Sequence, residues 1–282
     1  MRHETGEFTG RGGVRLFRQS WLPPAPPRAS IVNLHGLGDH SGLYAALGEH
    51  FAGRGIAVHA FDMRGHGRSP GQRAYLADWR EYRDDLDTFV QLVGAVSGPL
   101  FTLGSSLGGL VVLDHALHHP ERLSGVIAAA PPLGAVGVPR VLMALGRVMS
   151  HVWPRFSLQV GMDLSGLSRD PDSARMIVED PLFHRRGTAR LSTEVTVAIE
   201  RVHALAPELA VPALLLHGAA DRMVPPDGTR AFCGRLPAGL RTLIEYPEAY
   251  HALFADLDAA VVLADIETWI DATLGRRSAP PA

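Results

Sequence analysis

Short apolar runs and helix-spaced segments alternate along most of this chain, and that alternation constrains the fold more than any other feature. Residues 31–34 form a short apolar run that ends at His35-Gly36. Residues 43–53 carry helical spacing, and 57–61 form the next apolar run. The spacing predicts a helix over 78–96, with Leu86, Phe89, Val90 and Val93 at i, i+3, i+4 and i+7. Strand-like residues 100–103 lead directly into a glycine-rich turn and a helical stretch to His118, closed by Pro120. Residues 126–130 read as another buried strand. The pattern then stops over 133–207 and resumes with a strand at 212–216, a helix at 227–235, a strand at 240–246 and a helix at 256–274. Such alternation implies an α/β fold, a mostly parallel sheet flanked by helices on both faces. The interruption reads as a mainly helical insertion. Residues 1–132 and 208–282 are then the core and 133–207 the cap. At the start, strand signals at 7–9 and 14–22 flank the hairpin-like turn Gly10-Arg-Gly-Gly, and a stiff Pro23-Pro-Ala-Pro-Pro segment follows. Residues 275–282 read as a frayed tail.

Composition removes whole classes of chemistry. The chain has 282 residues, and its 27 basic side chains are all arginine. Without a lysine there is no Schiff base, no pyridoxal-phosphate anchor, no P-loop amine and no Ser-x-x-Lys acyl enzyme. One cysteine, Cys233, excludes an internal disulfide and a thiolate zinc cluster. No metal-ligand pattern is visible: the pair His118-His119 lacks nearby carboxylate or thiolate partners and reads as structural. A net charge of −2 supplies no basic field for nucleic acid. The first residues lack the apolar stretch of a secretory signal, and residues 123–139 are broken by Pro131-Pro132, so the chain reads as soluble and cytoplasmic.

The turn after 100–103 carries the chemistry. Gly104-Ser105-Ser106-Leu107-Gly108 fits G-x-S-x-G, and it sits where a nucleophile elbow must sit, between a buried strand and a helix. Ser106 is the central serine of that frame. A serine hydroxyl needs a positioned base, itself oriented by a carboxylate. On a sheet of this kind the three follow in the order serine, acid, histidine. Asp221 lies in the loop after 212–216 and His251 in the loop after 240–246, so parallel strands bring all three to one edge. Asp227 competes for the acid but reads as a helix cap. The loop Asn33-Leu-His-Gly-Leu-Gly38 supplies the remaining element. Backbone N–H groups of Leu37 and Leu107 are expected to form an oxyanion hole, each worth about 3 kcal/mol in a transition state. His35 reads as a brace for that loop.

These motifs, in order, resemble the monoacylglycerol lipase and lysophospholipase branch of the α/β-hydrolases, the serine aminopeptidase S33-like hydrolases. His35-Gly-Leu-Gly-Asp-His-Ser-Gly-Leu-Tyr44 is similar to that branch's HGxGEHSGRY segment, and Phe61-Asp-Met-Arg-Gly-His-Gly-Arg-Ser-Pro-Gly71 to its D-x-x-G-H-G-x-S-x-G loop. Leu167-Ser-Arg-Asp-Pro171 and Asp180-Pro-Leu182 resemble motifs of its cap. The resemblance implies an α/β-hydrolase fold with a helical cap. It also implies a serine esterase for monoacylglycerols and other medium or long acyl esters, working without a cofactor. Three positions depart from the pattern. Asp39 replaces a glutamate, Leu43 an arginine and Phe254 a second histidine, which removes polar groups expected around a glycerol head.

In the insertion, Val141, Leu142, Leu145, Val148, Met149, Val152 and Trp153 form one apolar stripe at helical spacing. Leu145 and Met149, with Asp39 and Phe254, are the expected substrate contacts. The stripe either lines an acyl tunnel, with transient membrane or micelle contact through the cap, or packs onto the core. The same triad also serves peptidases, amidases, thioesterases and perhydrolases, and a non-catalytic ligand-binding member of the fold stays open. Dehalogenases and epoxide hydrolases of this fold carry an aspartate where Ser106 stands.

Overall fold

The computed structural model describes residues 1–95, 98–134, 140–159 and 164–278. The chain opens with β1 (Arg2–Thr9) and β2 (Arg15–Leu22), an antiparallel hairpin paired from Arg2↔Leu22 to Thr9↔Arg15. β1 begins five residues earlier than the apolar signal, because an exposed edge strand needs no apolar face to pair. There follow β3 (Ala29–Leu34), α1 (Ala45–Ala52), β4 (Ile56–Phe61), α2 (Arg80–Gly94), β5 (Leu100–Ser105), α3 (Leu107–His118) and β6 (Gly125–Ala129). Between β6 and the next core strand lie α4 (Arg140–Val152), β7 (Ser157–Gln159), α5 (Pro171–Glu179), β8 (Arg186–Thr188) and α6 (Ala189–Leu205). β9 (Ala213–Gly218), α7 (Asp227–Arg235), β10 (Arg241–Tyr246) and α8 (Ala259–Ser278) complete the chain.

The eight-stranded sheet has the order β1-β2-β4-β3-β5-β6-β9-β10. All pairings from β4 to β10 are parallel, and β2 runs antiparallel to both neighbours. The central strands β3, β5, β6 and β9 are buried along their whole length, which is why they read as continuous apolar runs. Successive residues enter opposite layers. Val32, Leu34, Val126 and Leu215 face a core shared with α2, α3, α6 and α7; Ile31, Leu103, Ile127 and Leu214 face a second core under α1 and α8. α2 buries Leu86, Phe89, Val90 and Val93 at the predicted spacing, each contributing about 1.5–3 kcal/mol.

The insertion is mainly helical, with one short pair that the sequence does not show: β7 and β8 run antiparallel, in strands too short to show a period. Other details differ from the sequence reading. α8 continues to Ser278 where fraying was expected from Gly275. Asp227 makes no N-cap bond; it is the first residue of α7, exposed and paired with Arg230 at 2.8 Å. Among the described residues, no helix is long and apolar enough to cross a membrane.

The insertion is fastened to the core through Asp114 of α3, a fully buried carboxylate. It accepts from the Trp79 indole N–H at 2.9 Å and from Arg201 Nε of α6 at 2.9 Å, with Arg83 Nη1 at 3.6 Å. Trp79 N–H also donates to Glu194 of α6 at 2.8 Å. Asp114→Ala would strand an indole donor and two guanidinium groups together. It is expected to cost about 3 kcal/mol or more in urea denaturation, with amide exchange accelerating in α6 before it does in β3 or β5.

Candidate active site

At Ser106 the backbone leaves β5 and enters α3 through φ 51°, ψ −119°, a positive-φ conformation forced on a non-glycine residue. The reason is crowding. A Cβ at Gly104 would overlap the Gly108 carbonyl, and one at Gly108 would overlap the carbonyls of Leu34 and His35. The helix therefore starts against the ends of β5 and β3, and the Ser106 N–H is fixed to the Ala129 carbonyl at 2.8 Å. Leu107 is the first residue of α3, so its N–H has no partner within the helix.

The loop after β3 is tied down from below. His35 is fully buried; its Nε2 accepts the Met63 N–H at 3.0 Å and its Nδ1–H donates to the Gly36 carbonyl at 2.7 Å. Burial lowers its pKa, so it stays neutral with both nitrogens spent on backbone. Asp62 fixes the far end of the loop. Its carboxylate accepts from the Ser41 N–H (2.7 Å), the Ser41 hydroxyl (2.6 Å) and the Arg68 N–H (2.8 Å). Between these anchors Gly38 adopts φ 82° and its carbonyl accepts the His184 N–H from the insertion at 3.0 Å. A side chain at Gly38 would overlap the His184 carbonyl. Among the described residues, neither the Leu37 nor the Leu107 N–H donates to another group, and both residues line one cavity with Ser106.

Asp221 sits beyond β9 with its carboxylate fully withdrawn from solvent. One oxygen accepts the N–H groups of Met223 (2.8 Å) and Val224 (2.9 Å), the other the His251 Nδ1–H (2.7 Å). Burial pushes its pKa up, but hydrogen bonds from His217, His251 and the Val224 N–H outweigh that and hold it well below the usual carboxylate range. His217 was not foreseen. Its Nε2 donates to the Val224 carbonyl at 2.8 Å and lies 3.4 Å from Asp221, while Nδ1 accepts from the Thr229 hydroxyl at 2.9 Å. The Asp221 bond to Nδ1 leaves Nε2 of His251 as the nitrogen free for chemistry.

Ser106 and His251 lie on the wall of a cavity of about 630 Å³, within the range that encloses a drug-sized ligand. Apolar side chains form most of the rest: Leu164, Leu167, Ile177, Leu191, Val195 and Phe254 among them. Asp39 and Phe254 lie on its wall; Met149 is half-buried and is not among its described lining residues. α4 packs against α6, and α6 gives Leu191 and Val195 to the wall. The side chains of Val141, Leu142 and Leu145 lie outside the described residues. Val148, Val152 and Trp153 are exposed. Tyr44, also unforeseen, donates its hydroxyl to Asp39 Oδ2 at 3.2 Å. Among the described residues, no group of His, Cys, Asp and Glu could hold a metal ion. A serine on a strained turn, an imidazole oriented by a carboxylate and two free amides can together perform acyl transfer.

The serine aminopeptidase S33 family profile matches residues 25–258. The chain is similar to a monoacylglycerol lipase of Mycolicibacterium smegmatis (32% identity, covering 93% of this chain and 95% of the relative) and to a human monoglyceride lipase (33%, covering 95% and 91%). Among solved structures it is similar to a Paleococcus ferrophilus monoacylglycerol lipase, with 36% identity and a TM-score of 0.85 over 92% of this chain and 99% of that one. A soluble variant of the Saccharomyces cerevisiae monoglyceride lipase, solved with a substrate analog, shares the fold at a TM-score of 0.86 and 23% identity, over 96% of this chain and 94% of that one.

Desolvation in the cavity wall raises the Asp39 carboxyl above its usual range, against the opposing hydrogen bond from the Tyr44 hydroxyl. An acid whose pKa is raised by folding binds protons more tightly when folded, so stability falls as pH climbs from the unfolded value to the folded one. Asp39→Asn is therefore expected to raise the melting temperature at pH 7–8 by roughly 2–4 °C, with the gain absent at pH 3. Melting curves across that range check it, and equal gains at both ends would contradict it.

Proposed function

The chain belongs to the monoacylglycerol lipase-like α/β-hydrolases of the serine aminopeptidase S33 family, and on that premise we propose that it hydrolyses medium- and long-chain acyl esters, monoacylglycerols included, through Ser106, His251 and Asp221. His251 Nε2 takes the Ser106 proton as Oγ attacks the ester carbonyl. The resulting oxyanion is received by the N–H groups of Leu37 and Leu107. Collapse expels the alcohol, which takes the proton back from His251 and leaves an acyl-serine. Water then gives a proton to His251, attacks the acyl carbon and releases the fatty acid, returning the proton to Ser106. Asp221 holds the ring by its Nδ1–H and stabilises the imidazolium of both steps.

The observation that carries this reading is the apolar cavity opening on Ser106 and His251. An acyl chain fills such a wall by simple desolvation, whereas a peptide backbone would leave its amides unpaired against Leu191, Val195 and Ile177. Leu43 and Phe254 on the same wall offer a glycerol head fewer hydrogen bonds than polar residues would, so the head group is read loosely and the acyl chain closely. Residues 133–207 act as the cap over a core of 1–132 and 208–282. Exposed Val152 and Trp153, with Arg155 two residues on, give that cap a surface for transient contact with a membrane or micelle.

Ser106→Ala is expected to lower ester hydrolysis by about ten-thousand-fold or more and to abolish covalent labelling by a fluorophosphonate; full activity in that variant would end the proposal. Across p-nitrophenyl esters and monoacylglycerols of increasing acyl length, kcat/KM is expected to climb by up to roughly fourfold per methylene while the chain still finds cavity wall. Thioesters and aminoacyl anilides complete the panel, and faster turnover of either would reassign the substrate class.

A further inference from the structure

Residues 166–169 of the insertion run beside residues 250–256, the loop that carries His251. The His251 N–H donates to the Gly166 carbonyl at 3.3 Å and the Ala252 N–H to the Leu167 carbonyl at 2.7 Å. The Ser168 hydroxyl donates to the Ala255 carbonyl at 2.7 Å. Arg169 closes the seam with a fork: Nε donates to Asp256 Oδ1 and Nη2 to Asp258 Oδ2, each at 2.7 Å, while Nη1 reaches Glu248 at 3.5 Å. The Arg169 N–H adds a bond to Asp256 Oδ2 at 3.3 Å.

Asp256 is the hub of this arrangement. Its side chain is withdrawn from solvent. Besides Arg169 it accepts the N–H groups of Leu257 (2.6 Å) and Tyr250 (2.9 Å). Tyr250 directly precedes His251, so the carboxylate grips the chain one peptide before the residue that carries the imidazole. Taking the cation away from a buried, paired carboxylate leaves an uncompensated charge that its remaining N–H bonds must carry alone, and among the described residues that cation comes from the insertion.

We infer that Arg169 and Asp256 are positioning residues for His251: the insertion supplies the clamp that sets the imidazole against Ser106. This rests on the catalytic reading above, and it adds that the cap builds the site as well as covering it. An arginine that merely fastened the cap would change stability and leave turnover per folded molecule alone. A positioning residue changes turnover itself, because a base displaced by an ångström can lose on the order of a hundredfold in rate.

The test compares Arg169→Gln, Arg169→Lys and Asp256→Asn with the wild type and with Arg175→Ala, a control at an exposed surface pair of the same insertion. Active sites are titrated with a fluorophosphonate, and kcat and KM for p-nitrophenyl butyrate are expressed per titrated site. Arg169→Gln is expected to lower kcat roughly 10- to 100-fold with KM changed by less than about threefold. Lysine at 169 should recover part of the loss, since it restores the charge without the fork. Arg175→Ala should match the wild type. Asp256→Asn keeps the side-chain volume and one acceptor, and gives the same reading should Arg169→Gln fold poorly. Wild-type kcat per site in both Arg169→Gln and Asp256→Asn, whatever their melting temperatures, overturns the inference. If the wild type itself is neither labelled nor active, it is the catalytic reading that fails.

Discussion

The first turn of α3 lies so close to the ends of β5 and β3 that no side chain fits at Gly104 or Gly108. Everything at the site is arranged around that contact. It throws Ser106 into positive φ, at a cost of about 1–2 kcal/mol, and it leaves the Leu107 amide unpaired at the start of a helix. The same closeness brings the loop after β3 against the serine: a Cβ at Gly36 would stand 3.2 Å from that of Ser106. The strain is outweighed by what the helix buries behind it, since Leu110, Val111, Val112 and Leu113 are all fully enclosed.

Around this elbow the loops are held by buried carboxylates. Asp62 holds the loop after β3, Asp114 the insertion, Asp221 the imidazole, and Asp256 the loop behind it. Where the counter-charge is a permanent cation it is a guanidinium, as it must be in a chain without lysine. The Arg64 side chain illustrates the advantage. Its Nε and Nη2 reach the two oxygens of Asp85 at 2.8 Å each, while another nitrogen meets Glu81 at 3.1 Å. A planar fork fixes direction as well as charge, which an ammonium on a flexible stem does not. Histidines serve the same structural end. His35, His66 and His184 pack as tilted rings with neighbouring centroids about 5 Å apart across the junction of core and insertion, and burial lowers the pKa of each.

The sheet was legible because its central strands are buried on both faces and its helices on one, so period and run length carried the topology. The candidate triad was legible for a different reason: parallel strands place Ser106, Asp221 and His251 by order alone. What escaped had no local signal. β1 shows no alternation because its faces are largely exposed, and β7 and β8 are three residues long. His217 reads as one more residue of an apolar strand until Asp221 folds back beneath it. Tyr44 and Asp256 matter through partners that only the tertiary fold supplies. Helical spacing in the sequence starts at Asp256, yet α8 begins at Ala259, leaving the Asp256 carboxylate free for Tyr250 and Arg169. The Ser168-Arg169-Asp170-Pro171 motif was visible as a string; its division of labour was not. Asp170 caps α5, Pro171 opens it, and Ser168 and Arg169 belong to the seam with the imidazole loop.

That seam has a bearing on engineering. Caps are the natural modules to exchange when a hydrolase scaffold is to be given a new specificity. Here a transplant cut at the obvious boundaries, the end of β6 and the start of β9, would separate Gly166, Leu167, Ser168 and Arg169 from the amides, carbonyl and carboxylates they serve some 85 residues downstream. The graft would inherit a foreign partner under its own imidazole. A chimera built from this protein has to carry residues 248–258 with the insertion, as though the two stretches were one continuous piece of chain.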